Sequence, residues 1–468
     1  MRPTQAKDHH SAAESSRGPR PAAPSGSSPR RRQPTQAAAG ALPGAADAHG
    51  DTAPAPRPGA VDADVPTAIG HMLEQVLAER LLRADALDPL FSRELADRVA
   101  RFTREGGKRT RSQLLWWSMR ACGGDDGARA VAALRLGAAL ELLQTCALVH
   151  DDVMDGSTLR RGRPALHADV RDRYGSSASP ARAARFGEAA AILAGDLALA
   201  WADDVVAETA LDPRTATAVR RLWSDMRTEM VAGQFLDLRG QLTGTRSRPE
   251  ALRAARLKSA LYSVERPLAL GAVVAGADDR TIRALCSTGR CVGLAFQLRD
   301  DLDDVFGDPR RTGKSCGGDI REGKPTYLAA LAVTRAEATG DRPALVVLER
   351  ALGDAHLTAA GLDEVREVLV RTGARQAVET KIDRLAAEGL RHFDGASLHA
   401  EAKDRLRRLL TAATVPRTAD GPPARSRPAP QPAPSTASHP ARRTASRPAP
   451  RPAPRPAPAD FVTPEAGR

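Results

Sequence analysis

From Pro66 to about residue 413, apolar residues recur three and four positions apart, the period of one face of a helix. Ile69, Met72, Leu73, Val76 and Leu77 mark the first such stripe, just after Pro66, whose fixed φ suits a helix start. Further stripes predict helices over roughly 86–103, 112–121, 128–153, 186–209, 215–240, 249–277, 280–305, 324–338, 343–353, 361–373, 376–393 and 398–413. Strand-like alternation is essentially absent. The breakers fall between the stripes, at Gly123–Gly124, Asp212–Pro213, Gly307–Asp308–Pro309 and Gly317–Gly318. No linker divides the stripes, so residues 66–415 read as one all-α body.

The flanks have a different texture. Residues 1–65 are rich in Ala, Pro, Gly, Ser and Arg, with too few large apolar residues to offset chain entropy, and disorder is expected there. Residues 416–468 repeat Arg-Pro-Ala-Pro at 427, 447, 451 and 455, the mark of an extended, polyproline-like tail. That tail holds nine Arg against three acids, half of the chain's net charge of +12, so the basic pI of about 10.1 is partly a property of the tail. The body shows no basic stripe interleaved with aromatics, and nucleic acid is not an expected partner. Aromatics are 3% of residues, so Ala and Leu carry the packing, as in close-packed helices.

Cys122, Cys146, Cys286, Cys291 and Cys316 are odd in number and form no CxxC pair, which argues against a disulfide framework or a structural zinc site and fits a reducing cytoplasm. An Arg- and Ser-bearing start resembles a transit peptide, but Asp8 and Glu14 lie within it, and no signal-peptide core is present. The longest apolar run, Leu268–Ala277, is about half of what a membrane span needs, and no transmembrane segment is expected.

Chemistry concentrates in Leu140–His167, LELLQTCALVHDDVMDGSTLRRGRPALH. Asp151 and Asp155 are four apart and share a helix face, with Asp152 beside them. Two like charges about 4 Å apart cost roughly 4 kcal/mol at an effective dielectric near 20. A hard divalent cation would offset that cost, whereas a solvated helix end would merely tolerate it. The DDxxD spacing recurs at Asp300, Asp301 and Asp304, 149 residues on, with Asp303 between. Basic residues follow each cluster: Arg160 and Arg161 after the first; Arg310, Arg311, Lys314 and Lys324 after the second. A solvated charge run has no need of that doubled arrangement. Lys108, Arg109 and Arg111 in GGKRTRS, and Lys258 with Ser259, add cations suited to diphosphate oxygens. GGKRTRS lacks the spacing and preceding strand of a nucleotide phosphate loop, and no GxSxG elbow or HExxH helix appears. His150 is either a diphosphate contact or a hydrogen-bonded wall residue.

Together GGKRTR, ELLQTCALVHDDVMDGSTLRRGRP, AGDLALA, the KS at 258–259, FQLRDDLDDVFGDPRRTGK and GDIREGKPT resemble the trans-isoprenyl diphosphate synthases, the polyprenyl synthetase family, over roughly 66–414. The likeness is greatest to a geranylgeranyl diphosphate synthase. The resemblance implies an isoprenoid synthase-type helical bundle around a central cavity, usually a homodimer, with the two acidic motifs across its mouth. It implies about three Mg²⁺ per active site, held by Asp151, Asp152, Asp155, Asp300, Asp301 and Asp304. Arg160, Lys258, Ser259, Gln297, Lys314 and Lys324 would then meet an allylic diphosphate (dimethylallyl, geranyl or farnesyl), and Lys108, Arg111, Gln144 and Arg161 would bind isopentenyl diphosphate. Ser259 replaces the family's more usual Thr, and Ser112 stands where Pro is common, which bears on the rigidity of the basic loop.

In the family, bulky aromatics four and five residues before the first motif close the pocket at C15. Here those positions are Ala147 and Cys146, both small, so the product is expected to grow past them towards Leu143, giving C20 or longer. Two other readings compete. A class I terpene cyclase shares the fold but carries a different second metal motif and lacks the isopentenyl-binding loop. A regulatory subunit commonly loses acidic residues that are intact here. Nucleic-acid tethering by the tails is compatible with catalysis.

Overall fold

The computed structural model describes residues 58–308 and 316–415. The helices are α1 (Pro58–Ala63), α2 (Val65–Leu87), α3 (Asp97–Arg104), α4 (Thr110–Ala121), α5 (Gly127–Met154), α6 (Leu166–Tyr174), α7 (Pro180–Glu208), α8 (Pro213–Thr243) and α9 (Arg248–Ala255). They continue as α10 (Arg266–Ala275), α11 (Asp279–Phe306), α12 (Gly318–Arg321), α13 (Tyr327–Thr339), α14 (Arg342–Ala351), α15 (Ala359–Arg371), α16 (Ala374–Asp394) and α17 (Ala400–Thr414). The described body is therefore all-α, as the periodicity predicts, apart from one small hairpin. Aspartates start several helices because a carboxylate there accepts the otherwise unpaired N–H groups and complements the helix dipole. Asp126 accepts from Arg129 N at 2.7 Å, Asp278 from Thr281 N at 2.7 Å and Asp341 from Ala344 N at 3.0 Å.

Order begins earlier than the composition suggests. Pro58–Ala63 is helical although it lies inside the stretch expected to be disordered, and Val61 and Val65 are buried. Asp62 explains the difference: it accepts from Trp116 Nε1 at 2.8 Å and from Arg120 Nη2 at 2.9 Å, polar anchors that periodicity does not register. The predicted helix over 86–103 is broken at Asp88 and passes through a π-helical turn at Ser92–Ala96 before α3. The hairpin, α6 and α12 are too short to show as a periodic stripe in the sequence. Expected tail residues 1–57 and 416–468, and the 309–315 segment with Arg310, Arg311 and Lys314, lie outside the described residues.

Two apolar cores hold the body. The larger is built from α2, α4, α5, α7 and α10, closed by α17; the smaller joins the C-terminal half of α11 to α13, α14, α15 and α16. Helix α5 is long and apolar enough to cross a membrane by length and composition, but 72% of its most apolar window is buried in the body, so its hydrophobicity serves packing. All five cysteines are free, as the sequence implies.

Three local devices position the functional groups. Between α9 and α10 the chain runs as a wide, π-helical segment, Arg256–Glu265, which carries Lys258 and Ser259. Gly233 of α8 admits it: a Cβ there would stand 2.1 Å from Lys258 N. Strands β1 (Leu159–Arg160) and β2 (Arg163–Pro164) pair antiparallel across a two-residue turn, Arg161–Gly162, both at positive φ, the turn that matches strand twist. The GGKRTRS loop is pinned from below. Arg109, itself left-handed at φ 52°, sends Nη1 to Glu141 Oε2 at 2.8 Å and Nη2 to the carbonyls of Thr103 and Arg104, while Ser112 donates to Glu141 Oε1 at 2.7 Å. Ser112 thus restrains the loop by hydrogen bonding where proline would do so by ring closure.

The Arg109–Glu141 pair is buried on both sides, 8% exposed each, so Glu141→Ala should strand a buried guanidinium and lower stability by about 3–5 kcal/mol. Arg83→Ala, breaking an exposed pair with Glu79, should change it by less than about 1 kcal/mol. Urea unfolding of both variants checks the contrast; equal losses would contradict it.

Candidate active site

The first acidic motif closes α5. Asp151 and Asp155, one turn apart, point towards the segments that carry the lysines: Lys258 Nζ lies 3.3 Å from Asp151 Oδ1, and Lys324 Nζ lies 3.0 Å from Asp155 Oδ2. Burial works against ionisation of Asp151, but Lys258, Lys324 and Arg160 outweigh it and hold its carboxyl below the ordinary value. Asp152 turns the other way. It is 1% exposed, and its Oδ1 accepts Arg160 Nε at 2.7 Å as well as Arg160 Nη2. Arg160, expected at an allylic diphosphate, is therefore held by the hairpin against Asp152, with Asp151 3.7 Å away.

The second motif closes α11. Asp301 is buried, and its Oδ1 accepts the Gln297 amide at 2.7 Å, so in this geometry Gln297 spends that donor on a carboxylate. Asp304 Oδ2 accepts from Asp319 N at 3.0 Å, which fixes the start of α12 beside the motif. Lys324 then ties the first motif to this turn. Besides Asp155, it meets Asp319 at 3.5 Å and Glu322 at 2.6 Å. Burial alone would lower its pKa; Asp319, Asp155 and Glu322 instead raise it well above the usual lysine value. Asp155 and Asp319, far apart in sequence, thus meet across one ammonium group.

Four acid or amide participants do not stand out in the sequence. Asp237 on α8 accepts from Lys258 Nζ at 2.7 Å, and Gln234, one turn earlier, donates to Asp151 Oδ1 at 3.1 Å. The signal was a Gln and an Asp three apart in GQFLDL, directly after Gly233. Asp319 and Glu322 are the others, both within GDIREGKPT but not distinguished there by spacing.

A cationic group gathers beside the first motif. Arg111 stacks its guanidinium 4.3 Å from the Tyr262 ring centroid and donates to Ser263 Oγ at 2.8 Å. Tyr262 in turn donates its hydroxyl to Gln144 Oε1 at 2.8 Å, which ties Arg111 and Gln144 into one wall. Arg161, in the hairpin turn, donates to Glu105 O at 3.1 Å; burial, then Arg109, Arg160 and Arg111, push its pKa down, the signature of cations crowded together. Lys108 is exposed in the same loop, and Ser259 is half-buried beside Lys258. His150 proves to be a wall residue, its Nε2 3.0 Å from Ile192 O on α7. Below it on α5, Cys146 is buried with its thiol pushed up to about 12, Ala147 is half-buried and Leu143 lies wholly in the core.

The donor set fits hard divalent cations. Asp155 Oδ1 is buried without a hydrogen-bond partner, an oxygen left for a ligand the protein does not itself provide. Carboxylates outnumber the lysines that offset them, so the mouth favours further positive charge.

An all-α body that gathers two aspartate motifs, two bridging lysines and an arginine group at one mouth defines an enzyme class that handles diphosphates through divalent metal ions. Residues 92–358 match the polyprenyl synthetase family, and the chain belongs to it. It is 33% identical over 294 residues to a short chain isoprenyl diphosphate synthase of Methanothermobacter thermautotrophicus, covering 58% of this chain and 84% of that one. It is 37% identical over 242 residues to a farnesyl diphosphate synthase of Geobacillus stearothermophilus, covering 50% and 73%. Among solved structures it is similar to a geranylgeranyl pyrophosphate synthase of Corynebacterium glutamicum complexed with isoprenyl diphosphate and magnesium, with TM-score 0.70, 35% identity, and coverage of 75% and 98%. The chain is a prenyltransferase.

Asp301 generates a pH prediction. Burial first, then Asp319, Asp300 and Asp237, raise its carboxyl well above the ordinary value, against the Gln297 amide. A raised carboxyl binds its proton more tightly folded than unfolded, so its stabilising effect is present at low pH and lost as pH rises through the folded value. In chelator, the thermal midpoint should therefore carry a component that falls with rising pH, and Asp301→Asn should remove that component. An unchanged pH slope in Asp301→Asn would contradict the assignment.

Proposed function

We propose that this chain condenses isopentenyl diphosphate with an allylic diphosphate to give a trans-polyprenyl diphosphate, with C20 geranylgeranyl diphosphate as the main product. The observation that supports this reading is Lys324, which joins Asp155 of the first motif to Asp319, whose backbone N–H donates to Asp304 of the second, beside the Arg111–Tyr262–Gln144 wall.

In this reading Asp151, Asp155, Asp300 and Asp304 hold Mg²⁺, while Asp152 orients Arg160 and Asp301 orients Gln297. Bound Mg²⁺ would supply positive charge to the diphosphate as its C–O bond breaks. Lys258 and Lys324 pair with the carboxylates in the protein as it stands, and in this reading their ammonium groups turn to the diphosphate oxygens. Lys108, Arg111 and Arg161 grip isopentenyl diphosphate, with Gln144 in the same wall. The double bond of isopentenyl diphosphate attacks the allylic carbon, and the proton then lost goes to the departing diphosphate. No side-chain nucleophile is needed. Lys314, outside the described residues, is proposed for the allylic diphosphate on the resemblance alone.

Small side chains at Cys146 and Ala147 support the C20 product over the C15 product of a farnesyl synthase. A homodimer fits the apolar side chains that α7 and α8 leave in solvent: Leu193 is 57% exposed, Val231 64% and Phe235 63%.

Asp151→Ala and Asp300→Ala should each lower turnover with isopentenyl diphosphate, an allylic starter and Mg²⁺ by about 10²-fold or more. Near-normal rates in both would sink the metal assignment. Sizing of the dephosphorylated products should show Cys146→Phe shifted to a shorter chain; an unaltered product spectrum would refute the proposed floor.

A further inference from the structure

Away from the carboxylate mouth, α11 and α16 bring together a donor set of different chemistry. The Cys291 thiol, the Glu388 carboxylate and the His392 imidazole offer ligand atoms that all lie within 4.8 Å of one another. Glu388 and His392 are one helical turn apart, with Nε2 3.9 Å from Oε1. Gly389, next to Glu388, is what lets the helices close. A Cβ at that position would stand 2.8 Å from Val292 Cγ2 and 3.2 Å from Cys291 Cβ. A larger residue would push α16 off α11 and carry Glu388 and His392 away from the thiol.

We propose that Cys291, Glu388 and His392 form a second metal site, for a borderline-soft divalent cation such as Zn²⁺, that clips α16 to α11. Sulfur, imidazole and carboxylate are the donors Zn²⁺ takes, at bond lengths of about 2.0–2.3 Å, which put tetrahedral ligand atoms roughly 3.5 Å apart. Reaching that spacing needs about 1 Å of contraction. The site can supply it, because Cys291 is half-buried on a short side chain while Glu388 and His392 are exposed on longer ones with room to turn inwards. Three protein ligands leave a fourth position open to water from the solvent side. Arg290, the residue before Cys291, opposes a cation only weakly, since its guanidinium pairs with Glu265 at 3.1 Å. The two sites sort metals by donor type: the all-oxygen mouth suits Mg²⁺, whereas a thiolate and an imidazole favour Zn²⁺ or Co²⁺.

The test uses the full chain with excess Mg²⁺ present, so that the oxygen-donor sites are occupied, and Co²⁺ as the spectroscopic probe. Titration should raise a sulfur-to-cobalt charge-transfer band that saturates at one equivalent per chain and is reversed by Zn²⁺. Cys291→Ser should abolish the band, His392→Ala should weaken Co²⁺ binding by about tenfold or more, and Cys286→Ser should leave it intact. Prenyl transfer by Cys291→Ser with Mg²⁺ should match the unsubstituted protein, which shows that the variant folds. A protein without the band, a band that survives Cys291→Ser, or Co²⁺ binding indifferent to His392→Ala would each overturn the proposal.

Discussion

The structure depends on an electrostatic debt at one end of the bundle. Two aspartate motifs, with Asp237, Asp319 and Glu322 around them, concentrate like charge where burial makes it costly. Lys324 between Asp155, Asp319 and Glu322, and Lys258 between Asp151 and Asp237, offset part of it. The remainder is what makes the site useful. A mouth that still favours positive charge, with Asp155 Oδ1 unpartnered, is poised for divalent cations and for the diphosphates they accompany.

Each supporting feature works by holding those groups in register. Helix α5 is buried along its apolar length, so its end cannot shift when Asp151 and Asp155 are pulled by their partners. The close approach at Gly233 seats the π-helical segment on α8 and sets Lys258 against Asp237. The Arg161–Gly162 turn folds Arg160 back onto Asp152 and leaves Arg161 beside the GGKRTRS loop. Under that loop the Arg109–Glu141–Ser112 network supplies rigidity from side-chain hydrogen bonds. One layer deeper, Cys146 and Ala147 follow the same helix away from the aspartates, where the proposed product floor lies.

Helix periodicity and the doubled DDxxD spacing made the all-α body and both aspartate motifs legible in sequence, because each is a local pattern with a local physical cause. What escaped depended on long-range partners. Asp62 orders α1 only because Trp116 and Arg120 reach it. Asp237 reads as one acid on a helix until Lys258 arrives from a neighbouring segment. Arg109 looked like one more cation for substrate in GGKRTRS, yet it is buried against Glu141, whereas Arg111 in the same loop stacks on Tyr262. Spacing identified the charged residues; only packing separates those facing the mouth from those that build it.

The central claim is that the mouth is completed by divalent cations and diphosphate together. Calorimetric titration of an unreactive allylic diphosphate analogue, with and without Mg²⁺, tests this most directly. Binding should be tight with Mg²⁺ and lost in chelator, and equal affinity under both conditions would contradict it.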